Sequence, residues 1–174
     1  LYKTRHANSV ALPQPFELDI FSEALKNISN YVEHRSEESL IRAASLLKRL
    51  NYSIEKVQDS YLYLKENAPK RGWGLYVFSL KSLNKLLVEV PAPMDERNTL
   101  EVGIWLFQDM KAQALAIAGS YRNSNIDGSS DVLNYYQTLY QVFHHTLKKN
   151  EVLQIRGYTA DNTPSLNNMI KPEN

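Results

Sequence analysis

Three consecutive segments constrain this chain more than any other feature: KLLVEV (Lys85 to Val90), TLEVGIWLFQDM (Thr99 to Met110) and ALAIAG (Ala114 to Gly119). The first and third are short apolar runs of strand length, and the second is of helix length and apolar almost all round. Two buried strands joined by a helix make a parallel crossover, since parallel neighbours cannot be joined by a tight hairpin. A second unit follows. Val132, Tyr136, Leu139, Tyr140, Phe143 and Leu147 recur at helical spacing, and EVLQIRGY (Glu151 to Tyr158) reads as the next strand.

The first half has a different texture. LYKTRHANSVALPQP (residues 1–15) is polar, carries two prolines and reads as an irregular arm. Leu18, Phe21, Leu25, Ile28 and Val32 then mark an amphipathic helix beginning at Phe16. Ser36, followed by Glu37 and Glu38, is an N-cap with acidic residues that suit the helix dipole, and it opens a second helix ending near Asn51. SYLYLKE (Ser60 to Glu66) and WGLYVFS (Trp73 to Ser79) are aromatic and β-rich and predict a hairpin. The expected fold is α/β: a three-layer sandwich with a mixed, partly parallel sheet of about five strands, the hairpin at one edge, and an N-terminal helical pair. It occupies a single domain over residues 16–158, with the helical pair at 16–51 and the sheet with its crossover helices at 60–158. Residues 159–174 read as a C-terminal tail.

Composition removes several functional classes. Twenty Lys and Arg against nineteen Asp and Glu give a net charge of +1, so the balance offers no chain-wide attraction for nucleic acid or an anionic membrane. The absence of cysteine excludes disulfides, thiolate nucleophiles and Cys-ligated zinc, but leaves the compartment undecided. No apolar run reaches the roughly 18 residues of a membrane span, so membrane association is expected only through segments outside this chain. The chain starts at Leu1 without a signal-like apolar region, which reads as an excised or processed segment.

In an open α/β sheet, ligands bind beyond the carboxyl ends of the parallel strands. The residues there are Asp95, Glu96 and Arg97 after the first parallel strand, Arg122, Asp127 and Asp131 after the second, and Arg156 and Asp161 at the third. Of these, Asp95, Glu96, Arg97, Arg122, Asp131 and Arg156 are the ligand-binding candidates; solvated loop charge is the competing reading.

The segments VPAPMD, AGSYR and LQIRGY, taken in order at three strand ends, resemble the zinc carboxypeptidase-like hydrolases, which include N-formylglutamate amidohydrolases and poly-γ-glutamate hydrolases. The resemblance spans about Gly72 to Tyr158. In that group one strand ends in a His-x-x-Glu/Asp metal pair, an Arg follows a later strand, and a second His ends a further one. The resemblance thus puts Ala92 at the first His, Asp95 at the acidic ligand, Arg122 at the residue that holds a substrate carboxylate, and Arg156 at the second His. A hydrolytic zinc site needs three protein ligands and an open position for water. A methyl, one carboxylate and a guanidinium cannot supply them, so no metal and no cofactor is expected, and the resemblance implies an inactive relative.

Other motifs carry less. His144 and His145 are adjacent on a helix and point about 100° apart, which does not chelate from one face; they are expected at the polar border of a face through Tyr140 and Phe143. Ser120 lacks the flanking glycines of a nucleophile elbow, and RGWG (Arg71 to Gly74) precedes a strand, so it reads as a turn that lets Trp73 cover the core. Tyr61, Tyr63, Tyr76, Tyr136 and Tyr140 fall at strand or helix spacing and read as core. In NTLE, Asn98 and Glu101 have the spacing of a capping box, and Asp131 could cap the later helix.

These features support three readings. The first is a catalytically inactive, hydrolase-like domain that binds another protein or an anionic small ligand, in the periplasmic or exported part of a larger bacterial protein. The second is an active carboxylate-led hydrolase or amidase on an anionic peptide-like substrate, with Asp95 or Glu96 as base and Arg122 or Arg156 as the anion holder. The third is a structural module that docks through its helical pair.

Overall fold

Six strands form one mixed sheet in the computed structural model, which describes residues 11–119, 138–147 and 151–157. Two helices lead, α1 (Pro15–His34) and α2 (Glu37–Arg49), followed by β1 (Tyr52–Val57), β2 (Tyr61–Glu66), β3 (Leu75–Ser79) and β4 (Leu86–Val90). Then come α3 (Thr99–Asp109), β5 (Ala114–Ile117), α4 (Leu139–Leu147) and β6 (Glu151–Gln154). The spatial order is β1-β2-β3-β5-β4-β6. β1, β2, β3 and β5 pair antiparallel in succession, while β4 runs parallel to both β5 and β6.

The period-two alternation of the strands divides the core into two layers. Leu62, Leu64, Tyr76, Phe78, Leu87, Ala114 and Ala116 face α1, α2 and α4, which contribute Phe21, Leu25, Ile28, Leu47, Leu139 and Phe143. Val77, Leu86, Val88, Val90, Leu115 and Ile117 face the other way, onto Leu100 and Phe107 of α3. The helices therefore sit on both faces of the sheet, as the crossover pattern predicts. Tyr76 joins the layer above it, with its ring 5.0 Å from Phe21 and 5.1 Å from Phe143.

Helix ends follow local chemistry. Ser36 caps α2 by accepting the Ser39 N–H at 3.3 Å, as expected. α1 begins with a capping box between Gln14 and Glu17 that the arm assignment did not anticipate. Asn98, by contrast, does not cap α3: its backbone is left-handed at φ 63° and its side chain makes no cap hydrogen bond. The Thr99 hydroxyl donates to the Glu96 carbonyl at 2.8 Å, which ties the first turn of α3 back to the preceding loop without capping a helix N–H.

Two expectations about the sheet need correction. Among the described residues it has six strands instead of about five, because YSIEKV forms β1. The β2–β3 hairpin lies inside the sheet, with β1 covering it as the edge. β1 escapes the hydrophobic pattern because an edge strand buries little, and Glu55 and Lys56 are exposed there. The RGWG segment does what was expected, since Trp73 is buried in the core with the Arg71 guanidinium 3.2 Å above its ring.

Candidate functional site

The carboxyl ends of β4, β5 and β6 lie on one edge of the sheet because the three strands are parallel. The segment after β4 and the segment after β6 meet there through one ion pair. Arg156 Nε lies 3.1 Å from Glu96 Oε1, and the Gly157 N–H donates to Glu96 Oε2 at 2.7 Å. Glu96 is buried while Arg156 is partly exposed, so the guanidinium bridges an enclosed carboxylate to the surface. Asp95 and Arg97 point to solvent on either side of Glu96. The partner of Arg156 is thus Glu96 of this chain.

Of the candidates named from sequence, the structure thus brings together Glu96 and Arg156 and leaves Asp95 and Arg97 exposed on the same edge. Arg122 and Asp131 lie outside the described residues, as do Ser120, Asp127, Tyr136 and Asp161. Ala92 is fully buried, and its carbonyl accepts the Asp95 and Glu96 N–H groups at 3.2 and 3.0 Å, which folds the loop after β4 into a tight turn.

A second polar pair lies beneath this edge and went unnoticed in the sequence. Glu89 in β4 is 0% exposed, and its Oε1 is 2.9 Å from Nδ1 of His144 on α4. Gln154, its ladder neighbour in β6, reaches its other oxygen at 3.5 Å. On the opposite side Glu89 pairs with Ala116, whose small side chain leaves room above the sheet. His144 therefore turns inward to a buried carboxylate and not to a polar border. Tyr140, one turn earlier on α4, is buried, and its hydroxyl has no hydrogen-bond partner among the described residues. Its pKa is held well above the usual phenol value, first by burial and then by the charge of Glu89, with Arg156 pulling the other way. The signal for this cluster was present: a glutamate inside LLVEV must find a partner, because an unpaired buried charge is among the costliest features a core can hold.

The zinc site that the resemblance implies was tested against these residues. The three relevant positions present an enclosed methyl (Ala92), an exposed carboxylate (Asp95) and a guanidinium bound to Glu96 (Arg156). Among the described residues no group of three or more His, Asp or Glu side chains is placed to hold a metal ion. The residues do not fit the metal. A permanent cation at one ligand position repels it further.

No protein-family model, characterised protein or solved structure gives a significant match to this chain. Among the described residues no helix is long and apolar enough to cross a membrane.

Proposed function

We propose that this domain is a catalytically inactive, hydrolase-like module that binds its ligand at the carboxyl edge of the sheet without turning it over. The observation that carries this reading is the Arg156–Glu96 pair at 3.1 Å. By the resemblance, Arg156 stands at the position of a metal-binding imidazole in the resembled hydrolases, and its pairing with a buried carboxylate supports a role other than holding a metal. The buried methyl of Ala92 supports the same reading, because two of the implied ligands are then missing together. The partner is an anionic small ligand or another protein, and placement in a periplasmic or otherwise exported part of a larger bacterial protein belongs to the same proposal. The direct assay is hydrolysis of N-acyl-glutamate and γ-glutamyl amides, with and without added zinc. We expect rates at the buffer background; metal-dependent turnover would overturn the reading. Fractionating cells that express the tagged full-length protein tests the location.

One observation favours the alternative, an active carboxylate-led hydrolase on an anionic peptide-like substrate. Glu89 and His144 form a carboxylate–imidazole pair at 2.9 Å, a pairing in which the carboxylate orients the ring and raises its basicity. In this version His144, and not Asp95 or Glu96, is the base, since Glu96 is already committed to Arg156 and the Gly157 N–H. Metal-independent turnover that disappears in His144→Gln would favour it.

A further inference from the structure

We propose that a cavity at the carboxyl end of β5, enclosed by the segment after β4 and by the connection between β2 and β3, binds a small organic anion with an apolar body, an aryl or short alkyl carboxylate or sulfonate. The inference deepens the binding reading above and rests on it, by naming the class of ligand.

The topology points to this place. The chain leaving β4 passes to α3 on one face of the sheet, whereas α4, which follows β5, lies on the other face. Adjacent parallel strands whose following helices lie on opposite faces leave a crevice between their carboxyl ends, and open α/β sheets bind ligands there. A cavity of about 520 Å³ lies next to this crevice on the α3 side, lined by Pro93 and Met94 after β4, by Leu100 of α3, by Ile117, Ala118 and Gly119 at the end of β5, and by the end of β2, the loop after it and the start of β3, between Tyr63 and Leu75. Its size falls within the roughly 300–1,000 Å³ typical of small-molecule sites.

Its walls and rim differ in character. Tyr63, Leu75, Met94, Leu100 and Ile117 supply an apolar interior suited to a ring or short chain. The backbone forms part of the lining, where Gly119 crosses the loop before β3 so closely that a Cβ on it would sit 2.5 Å from the Gly74 nitrogen. Among the described residues the charged groups lining the cavity are Lys65, Glu66 and Lys70. Glu66 is spent on the loop itself: it accepts the N–H groups of Arg71, Gly72 and Trp73 at 2.7, 3.1 and 3.3 Å, and the Arg71 guanidinium lies 3.5 Å away. Lys65 pairs with Glu55 on the neighbouring strand. Lys70 is exposed and makes no ion pair among the described residues. A ligand entering the cavity therefore meets an apolar interior, a neutralised carboxylate and one uncommitted ammonium, which selects a negative charge at the rim. Among the described lining residues no uncommitted carboxylate is left to receive a cation.

The experiment uses two fluorescent probes with related aromatic bodies: 1-anilinonaphthalene-8-sulfonate, which is anionic, and N-phenyl-1-naphthylamine, which is neutral. Both are titrated against the purified chain and its variants, with melting curves showing that each variant is folded. The sulfonate should bind saturably at one site per chain. Lys70→Glu should weaken it about tenfold, the scale of one charge contact at a partly exposed site, and leave the neutral probe nearly unchanged. Met94→Trp, which fills the cavity, should weaken both; Tyr63→Trp is the second filling variant should the first fail to fold. Absence of saturable sulfonate binding, equal loss of both probes in Lys70→Glu, or full binding of both in a folded filling variant would overturn the inference. Zinc content and turnover test the parent reading through readouts that these variants do not touch.

Discussion

His144 Nδ1 lies 2.9 Å from Oε1 of Glu89, a carboxylate with no solvent exposure in the middle of the parallel strands. The pair ties α4 to the sheet at the one charged position of LLVEV. Removing the imidazole strands that carboxylate beside Gln154 alone, whereas removing both groups leaves an apolar contact. His144→Leu should therefore destabilise the fold by about 2–4 kcal/mol, at the lower end for a buried pair because the imidazole is partly exposed. The double variant Glu89→Leu/His144→Leu should recover much of that loss. Urea denaturation of the two single variants and the double closes the cycle, and simple additivity would mean the two groups do not interact.

Gly103 on α3 faces Val90, and a Cβ there would stand 2.4 Å from the Val90 Cγ2. Within an exposed helix, Gly→Ala is worth up to about 1 kcal/mol of stability. Here the sign should reverse, because a buried β-branched side chain has little freedom to move aside. Gly103→Ala should destabilise by about 1–3 kcal/mol, and Val90→Ala in the same chain should relieve the clash. A more stable Gly103→Ala protein would show that α3 can shift on the sheet.

Burial holds the phenols of Tyr52, Tyr76 and Tyr140 well above the usual tyrosine range. In the unfolded chain they ionise near pH 10. Above that pH the native state retains protons that the unfolded state has lost, so the linkage makes stability fall as pH rises. The contribution is complete below about pH 10 and disappears as pH climbs through the raised native values. Absorbance titration at 295 nm should show these phenols ionising only with unfolding. Native-state titration of every tyrosine near pH 10 would contradict the packing of these three rings.

Much of the scaffold was legible because its signals are local. The spacing of Phe21, Leu25 and Ile28, the Ser36 cap and the apolar runs at β4 and β5 each state their own structure. What escaped depends on partners distant in sequence. β1 is an edge strand with exposed charges, and its identity comes from pairing with β2. Asn98 had the right residue type for a cap, but its backbone is left-handed and its side chain makes no cap hydrogen bond. Arg156 was found as a candidate, yet the choice of Glu96 over Asp95 rests on which side chain turns inward after β4. His144 looked like a border residue because helical spacing places it beside Tyr140 but says nothing of the carboxylate across the layer.

The Arg156–Glu96 pair gives a contrast between neighbours in one loop. Arg156→Ala leaves the buried Glu96 carboxylate without its cation and should cost about 1–3 kcal/mol, toward the lower value since the guanidinium is partly exposed. Arg97→Ala, at an exposed position beside it, should stay within about 0.5 kcal/mol of the parent. Equal effects in denaturant melts would mean that Arg156 is ordinary surface charge.

Elemental analysis of the purified chain after incubation with zinc and gel filtration addresses the inactive-hydrolase reading itself. We expect a content far below one zinc per chain, unchanged by Asp95→Ala. One zinc retained per chain and lost in that variant would mean that the edge still holds a catalytic metal and that the reading is wrong.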